Sequence, residues 1–129
     1  MKIAIDLHGT IDKYPDAFRM IMEMAVSAGI EVFVMSGPKF EIILDQLKEL
    51  GFELHTHFTG VHSVVEFLQS GNTKMHQDER GGWWASDEDW WSAKGKLCKL
   101  CKIDIMVDNE IKYKDAMPEI TNFIHFTGV

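Results

Sequence analysis

Two kinds of apolar pattern alternate along the chain. The first is a short, nearly unbroken apolar run. Ile3-Ala4-Ile5 halts at Asp6, residues 30–35 run apolar apart from Glu31, and residues 103–107 lead into Asp108. Runs of this kind predict strands buried on both faces. Residues 122–126 read as a last strand and 52–58 as a weaker one, third in chain order. The second pattern has helical spacing. Phe18, Ile21, Met22 and Ala25 lie one face apart in residues 15–28, with Pro15 opening the stretch and Gly29 closing it. Residues 39–50, closed by Gly51, predict a second helix. Residues 61–69 and 93–102 predict two more, and 111–117 one or two helical turns. Strands alternating with helices imply a mainly parallel sheet. The fold class is therefore α/β, a three-layer α/β/α Rossmann-like fold with five strands, in one domain spanning residues 1–129.

Residues 72–91 break the alternation. They are polar, contain Gly81-Gly82, and hold all 4 tryptophans of the chain, Trp83, Trp84, Trp90 and Trp91. The segment reads as an insertion or a long loop, and long loops in compact domains are often functional. Tryptophan is costly to expose, so these side chains pack on the domain, form a lid, or make a partner surface through which the chain oligomerises.

Composition narrows the function. A chain of 129 residues with 46% hydrophobic residues can bury a real core. The net charge of −7 argues against a nucleic-acid partner. No apolar run reaches the length of a membrane span, and Asp6 interrupts the N-terminal run too early for a secretory signal. Cys98 and Cys101 stand three apart in a helical stretch, a poor disulfide framework, so the expected location is the cytoplasm. His55 and His57 alternate on a strand with His62 soon after. That could suggest zinc, but strand-end histidines explain it as well. The third strand, 52–58, carries no aspartate, which argues against a phospho-accepting receiver domain.

In an open parallel sheet, ligands bind beyond the carboxyl ends of the strands. Asp6, Ser36, Asp108 and Asn109 all fall there, and Lys94 opens the helix before the fourth strand. Two adjacent carboxylates repel unless a cation joins them, and oxygen ligands suit Mg²⁺.

These residues resemble the haloacid dehalogenase superfamily, most of whose members are Mg²⁺-dependent phosphatases. Asp6-Leu7-His8-Gly9-Thr10 is similar to its first motif, Asp-x-Asp-Gly-Thr. Ser36 with Gly37 matches the second, Lys94 (nearer the helix start than Lys96) the third, and Asp108-Asn109 the fourth. The resemblance spans residues 3–109 and implies a phosphomonoester hydrolase. Asp6 would attack phosphorus and form an aspartyl-phosphate. Asp6, the carbonyl of His8 and Asp108 would hold Mg²⁺. Ser36, Gly37 and Lys94 would hold the phosphate of a small phosphorylated metabolite or nucleotide. Gly9 would permit the tight turn, Thr10 would stabilise it, and Asn109 would orient a metal-bound water. His8 replaces the second aspartate of the first motif, the family's acid–base. A histidine can do that work. The alternative is a catalytically weakened phosphate- or metal-binding or interaction module. Little chain is available for a cap, so the site is expected to be open.

Overall fold

The computed structural model describes residues 1–128. Its elements are β1 (Lys2–Ile5), α1 (Pro15–Ser27), β2 (Glu31–Ser36), α2 (Phe40–Glu49), β3 (Gly60–Ser63), α3 (Val64–Ser70), β4 (Met75–Gln77), β5 (Trp83–Ala85), α4 (Asp87–Cys101), β6 (Ile105–Asp108) and β7 (Asn122–His125). Short 3₁₀ turns cover Ile11–Lys13 and Ile111–Ala116. Five strands form one sheet in the order β3-β2-β1-β6-β7, every pairing parallel. The fold is three-layered and Rossmann-like.

Period-two alternation builds the layers. Ile5, Val32 and Val34 point to one face, where Met22 of α1 and Ile43 and Leu47 of α2 cover them. Ala4, Met35 and Met106 point to the other, against Leu97 and Cys98 of α4. The central strands β1, β2 and β6 are covered on both faces, so their apolar runs persist until their carboxyl ends. Strand order reverses at β1, which pairs with β2 on one side and β6 on the other. The crevice at that reversal is where such sheets bind ligands.

The helix expected over residues 61–69 begins only at Val64, after strand β3, and two further expectations need correction. Residues 52–58 do not form a strand. Phe52 and Phe58 are buried, but the chain between them turns through His55 at φ 71°, and only an isolated bridge joins Leu54 to Phe58. The fifth strand is β3, which begins at Gly60. A Cβ there would lie 3.0 Å from the Phe33 ring of β2, so this residue lets the edge strand close on a bulky neighbour. Secondly, α4 begins at Asp87 and not near residue 93. The Ser86 side chain accepts from Asp89 N at 3.2 Å and three acidic residues fill the first turn, which together cap the helix well ahead of its apolar face.

The segment at 72–91 is a β4–β5 antiparallel hairpin followed by the first turn of α4. The Asp78 carboxylate holds the hairpin turn. It accepts from the backbone N–H of Arg80 at 2.9 Å and Gly82 at 2.8 Å, and from Trp84 Nε1 at 2.7 Å. Met75 and Ala85 seat the hairpin on a small cluster of Val64, Leu68 and Ala93.

Candidate functional site

Asp6 follows β1 and Asp108 ends β6, so their carboxylates meet at the reversal of strand order. Lys94 reaches them from the middle of α4. Its Nζ donates to Asp6 Oδ1 at 2.8 Å and to Asp108 Oδ2 at 2.6 Å. All three side chains are buried. Lys96, two residues on, is exposed. Gly95 allows this approach: a Cβ would collide with the Ala116 carbonyl, so only glycine lets α4 pack against the 111–116 turn. That packing also sets Lys94 Nζ 4.4 Å from the Tyr113 ring centroid.

The remaining oxygens of the floor also have partners. Asp108 Oδ1 accepts from Glu110 N at 2.9 Å. Thr10 Oγ1 lies 3.4 Å from Asp6 Oδ2. With its nitrogen turned inward, the Asn109 amide donates to Asp6 Oδ2 and to the His8 carbonyl, each at 3.0 Å. Gly9, at φ +82°, makes room, since a Cβ there would strike the Asn109 side chain.

Burial is the main influence on the Asp6 carboxyl and raises its pKa; Lys94 partly offsets this and Asp108 reinforces it. Burial also opposes the Lys94 ammonium, but Asp6 and Asp108 outweigh it and hold Lys94 above its ordinary value. Lys94 is therefore an ammonium throughout the working range. Burial pushes the Tyr113 phenol up to about 12.

Ser36, at the end of β2, is buried with its Oγ 3.2 Å from His8 Nδ1. His8 Nε2 lies 2.6 Å from Gln46 Oε1 of α2. Gly37 follows, and its carbonyl accepts from Val65 N at 3.1 Å. A Cβ on Gly37 would be 3.3 Å from the Trp90 ring, so floor and wall meet at this residue.

Above the floor lies a cavity of about 640 Å³. Its wall contains all four tryptophans. Trp84 and Trp90 face each other with ring centroids 5.1 Å apart, and Trp91 meets Tyr113 edge-on at 5.0 Å. Lys39 Nζ stands 5.9 Å from the Trp83 centroid and Lys112 Nζ 4.8 Å from that of Trp91. The long segment thus builds one side of the cavity. Asp6, His8, Ser36, Gly37, Lys94, Asp108 and Asn109 all line it, whereas Thr10 sits beneath, fully buried. Lys39 and Tyr113 also line it, and Gln46 stands behind His8; no motif signalled these three. Helical spacing from Ile43 and Leu47 points inward, and Gln46 flanks that stripe, which is the one available cue.

The histidines considered for zinc do not gather. His57 Nδ1 accepts from Glu53 N at 2.9 Å, His62 packs on Phe33 with centroids 5.1 Å apart, and His55 is exposed in its turn. Among the described residues, no group of three or more His, Cys, Asp or Glu is arranged to hold a metal ion. Cys98 and Cys101 are free thiols. No helix among these residues is long and apolar enough to cross a membrane.

No family model and no curated protein matches the chain. Among solved structures, it is similar to one described as "Crystal structure of universal stress protein in complex with cAMP". The two are 10% identical over 97% of this chain and 96% of that chain, with a TM-score of 0.48. These findings correct the expected membership of the haloacid dehalogenase superfamily. No family model and no curated protein stands behind it. The expectation of a hydrolase falls with it, as does that of a preformed metal centre. The geometry supplies a physical reason: the Lys94 ammonium already joins Asp6 and Asp108 where a cation would otherwise do so, and Asn109 and Thr10 lie against the other Asp6 oxygen. Both ring nitrogens of His8 are engaged by Gln46 and Ser36, which leaves neither directed at a leaving group.

Proposed function

We propose that this chain binds a small ligand with a planar aromatic body and hydroxyl or amine donors, and that nucleosides and nucleotides are the class that fits. One observation carries the reading: a single cavity of about 640 Å³ joins an acceptor-rich floor to a wall of four tryptophans. A volume of this size accommodates a small molecule. Trp84 and Trp90 offer faces on which a base stacks, an interaction worth roughly 1–3 kcal/mol per base. Beside this closed floor, Ser36 Oγ lines the cavity and offers lone pairs suited to a sugar hydroxyl. A phosphate, where the ligand carries one, belongs near Lys39, since Lys94 is already shared by two carboxylates.

Mg²⁺ is part of the proposal only for a phosphorylated ligand. Asp6 Oδ2, the His8 carbonyl and the Asn109 side-chain oxygen would be its donors, once the Asn109 amide turns its oxygen inward. Its contribution would be to offset the negative floor beside the phosphate. Free Cys98 and Cys101 suit a reducing cytoplasm.

The test is a calorimetric titration of the purified chain with adenosine, AMP and ribose 5-phosphate, each with and without MgCl₂. Adenosine and AMP should bind and quench tryptophan emission, AMP more tightly with Mg²⁺. Binding of ribose 5-phosphate alone, with no gain from a base, would overturn the reading.

A further inference from the structure

Gln46 lies outside every motif, and its side-chain amide meets the cavity floor at His8. It nevertheless decides what Ser36 can offer. An amide oxygen only accepts. With Gln46 Oε1 facing it at 2.6 Å, His8 Nε2 is assigned the ring proton, an assignment that goes with this orientation of the amide. A neutral imidazole has one proton, so Nδ1 is bare and accepts. Ser36 Oγ, 3.2 Å from Nδ1, is then the donor of that contact. Its hydroxyl proton is spent on His8, and its lone pairs are what remain for the cavity.

We propose that Gln46 is a positioning residue that sets the hydrogen-bond polarity of the binding site, acting through His8 to present Ser36 to the ligand as an acceptor. The consequence is a selectivity. Next to Ser36 the site takes a ligand hydroxyl or N–H and rejects a carbonyl, an ether or a bare anionic oxygen. The proposal rests on the nucleoside-binding reading for its ligand, but the relay itself is a property of the free protein. His8 is exposed to the cavity while Ser36 is buried, so a ligand covering His8 would shield the relay from water.

The experiment compares wild type with Gln46→Glu and Gln46→Lys. Position 46 is half-buried on α2, and both replacements are good helix formers, so the fold should hold. Glutamate keeps an acceptor at Nε2, whereas lysine supplies a donor. Nitrogen-15 NMR of His8, recorded at alkaline pH where an ordinary imidazole is neutral, reads the tautomer without any ligand. Wild type and Gln46→Glu should show protonated Nε2 with bare Nδ1; Gln46→Lys should show the reverse. A second arm compares dissociation constants of adenosine with its 2′-, 3′- and 5′-deoxy analogues. In wild type, one analogue should bind roughly 3- to 10-fold more weakly than adenosine, the worth of one hydrogen bond. That ratio should survive in Gln46→Glu and collapse toward one in Gln46→Lys. Protonated Nδ1 in wild type, or a tautomer unchanged in Gln46→Lys, overturns the relay. A tautomer that follows position 46 in a protein that binds no nucleoside upholds the relay and overturns the ligand class instead.

Discussion

At the floor of the cavity, Lys94 donates to Asp6 at 2.8 Å and to Asp108 at 2.6 Å, and Asn109 and Glu110 N serve the other carboxylate oxygens. At the wall, Trp84 is 44% exposed; its indole donates from Nε1 to Asp78 and lies tilted against Trp90. The floor is a closed set of charges and the wall is an open set of rings. Burying ions demands complete pairing, because each unpaired charge costs several kcal/mol. Aromatic faces carry no such demand and remain available to a ligand. Much of the electrostatics here is thus structural, and most of the recognition falls to the tryptophans.

Breaking the floor should have the largest effect. Lys94→Met leaves two buried carboxylates facing each other. It should lower the free energy of unfolding by about 3–5 kcal/mol in a urea titration, the cost of stranding a buried charge. The triple variant Lys94→Met with Asp6→Asn and Asp108→Asn should recover most of that loss. If Lys94→Met unfolds like wild type, the triad is not the buried ion cluster described. Backbone strain gives a smaller effect on the same floor. Gly9→Ala forces a side chain into φ +82° and against Asn109, and should cost about 1–3 kcal/mol in the same assay.

Breaking the wall should leave the fold alone. Trp84→Ala should weaken adenosine binding roughly tenfold or more, with little change in the urea midpoint. Equal losses of stability and binding would mean that Trp84 is core rather than contact. Asp78→Ala removes the acceptor shared by Arg80 N, Gly82 N and Trp84 Nε1, and should weaken binding less than Trp84→Ala while speeding hydrogen exchange at Gly82.

The smallest expected effect sharpens the contrast by pH. Asp6 has a pKa raised above 3.8 in the folded state, mainly by burial. The folded chain therefore binds this proton more tightly than the unfolded chain. Its contribution to stability declines as pH rises from 3.8 through that raised value. Lys94 is raised above 10.5, so its stabilising share is complete below that pH and is lost only above it. A pH series of urea midpoints should show a shallow decline above pH 3.8 that Asp6→Asn removes. Asp78 is held below its usual value by Trp84 Nε1 and Gly82 N, so the hairpin should loosen only as pH falls through that depressed value.

The sequence and the structure agree where the signal is dense. Apolar runs that stop at Asp6, Ser36 and Asp108 are legible because a strand buried on both faces has no other reason to become polar at its end. Their convergence follows from parallel pairing alone. The segment 52–58 misled because Phe52 and Phe58 are buried for packing, not pairing, while the true edge strand starts at a glycine with no strand preference of its own. The start of α4 was readable in principle: Ser86 stands three before Asp89, in an acidic cluster. The tryptophan hairpin was not, since an Asp78-centred turn depends on a side chain reaching two backbone amides and an indole at once. Gln46 was invisible for a simpler reason. Its role exists only through His8, which lies 38 positions away in sequence. The four-part motif resemblance pointed correctly to where the polar residues meet and wrongly to a family and a reaction.

The most direct test of this account is the titration of wild type and Trp84→Ala with adenosine, followed by tryptophan emission and by calorimetry. The account predicts one site per chain in wild type, with emission quenched as it fills, and roughly tenfold or weaker binding in Trp84→Ala at unchanged stability. Equal affinity in the two proteins, or no binding to wild type, would contradict a recognition site built on the tryptophan wall.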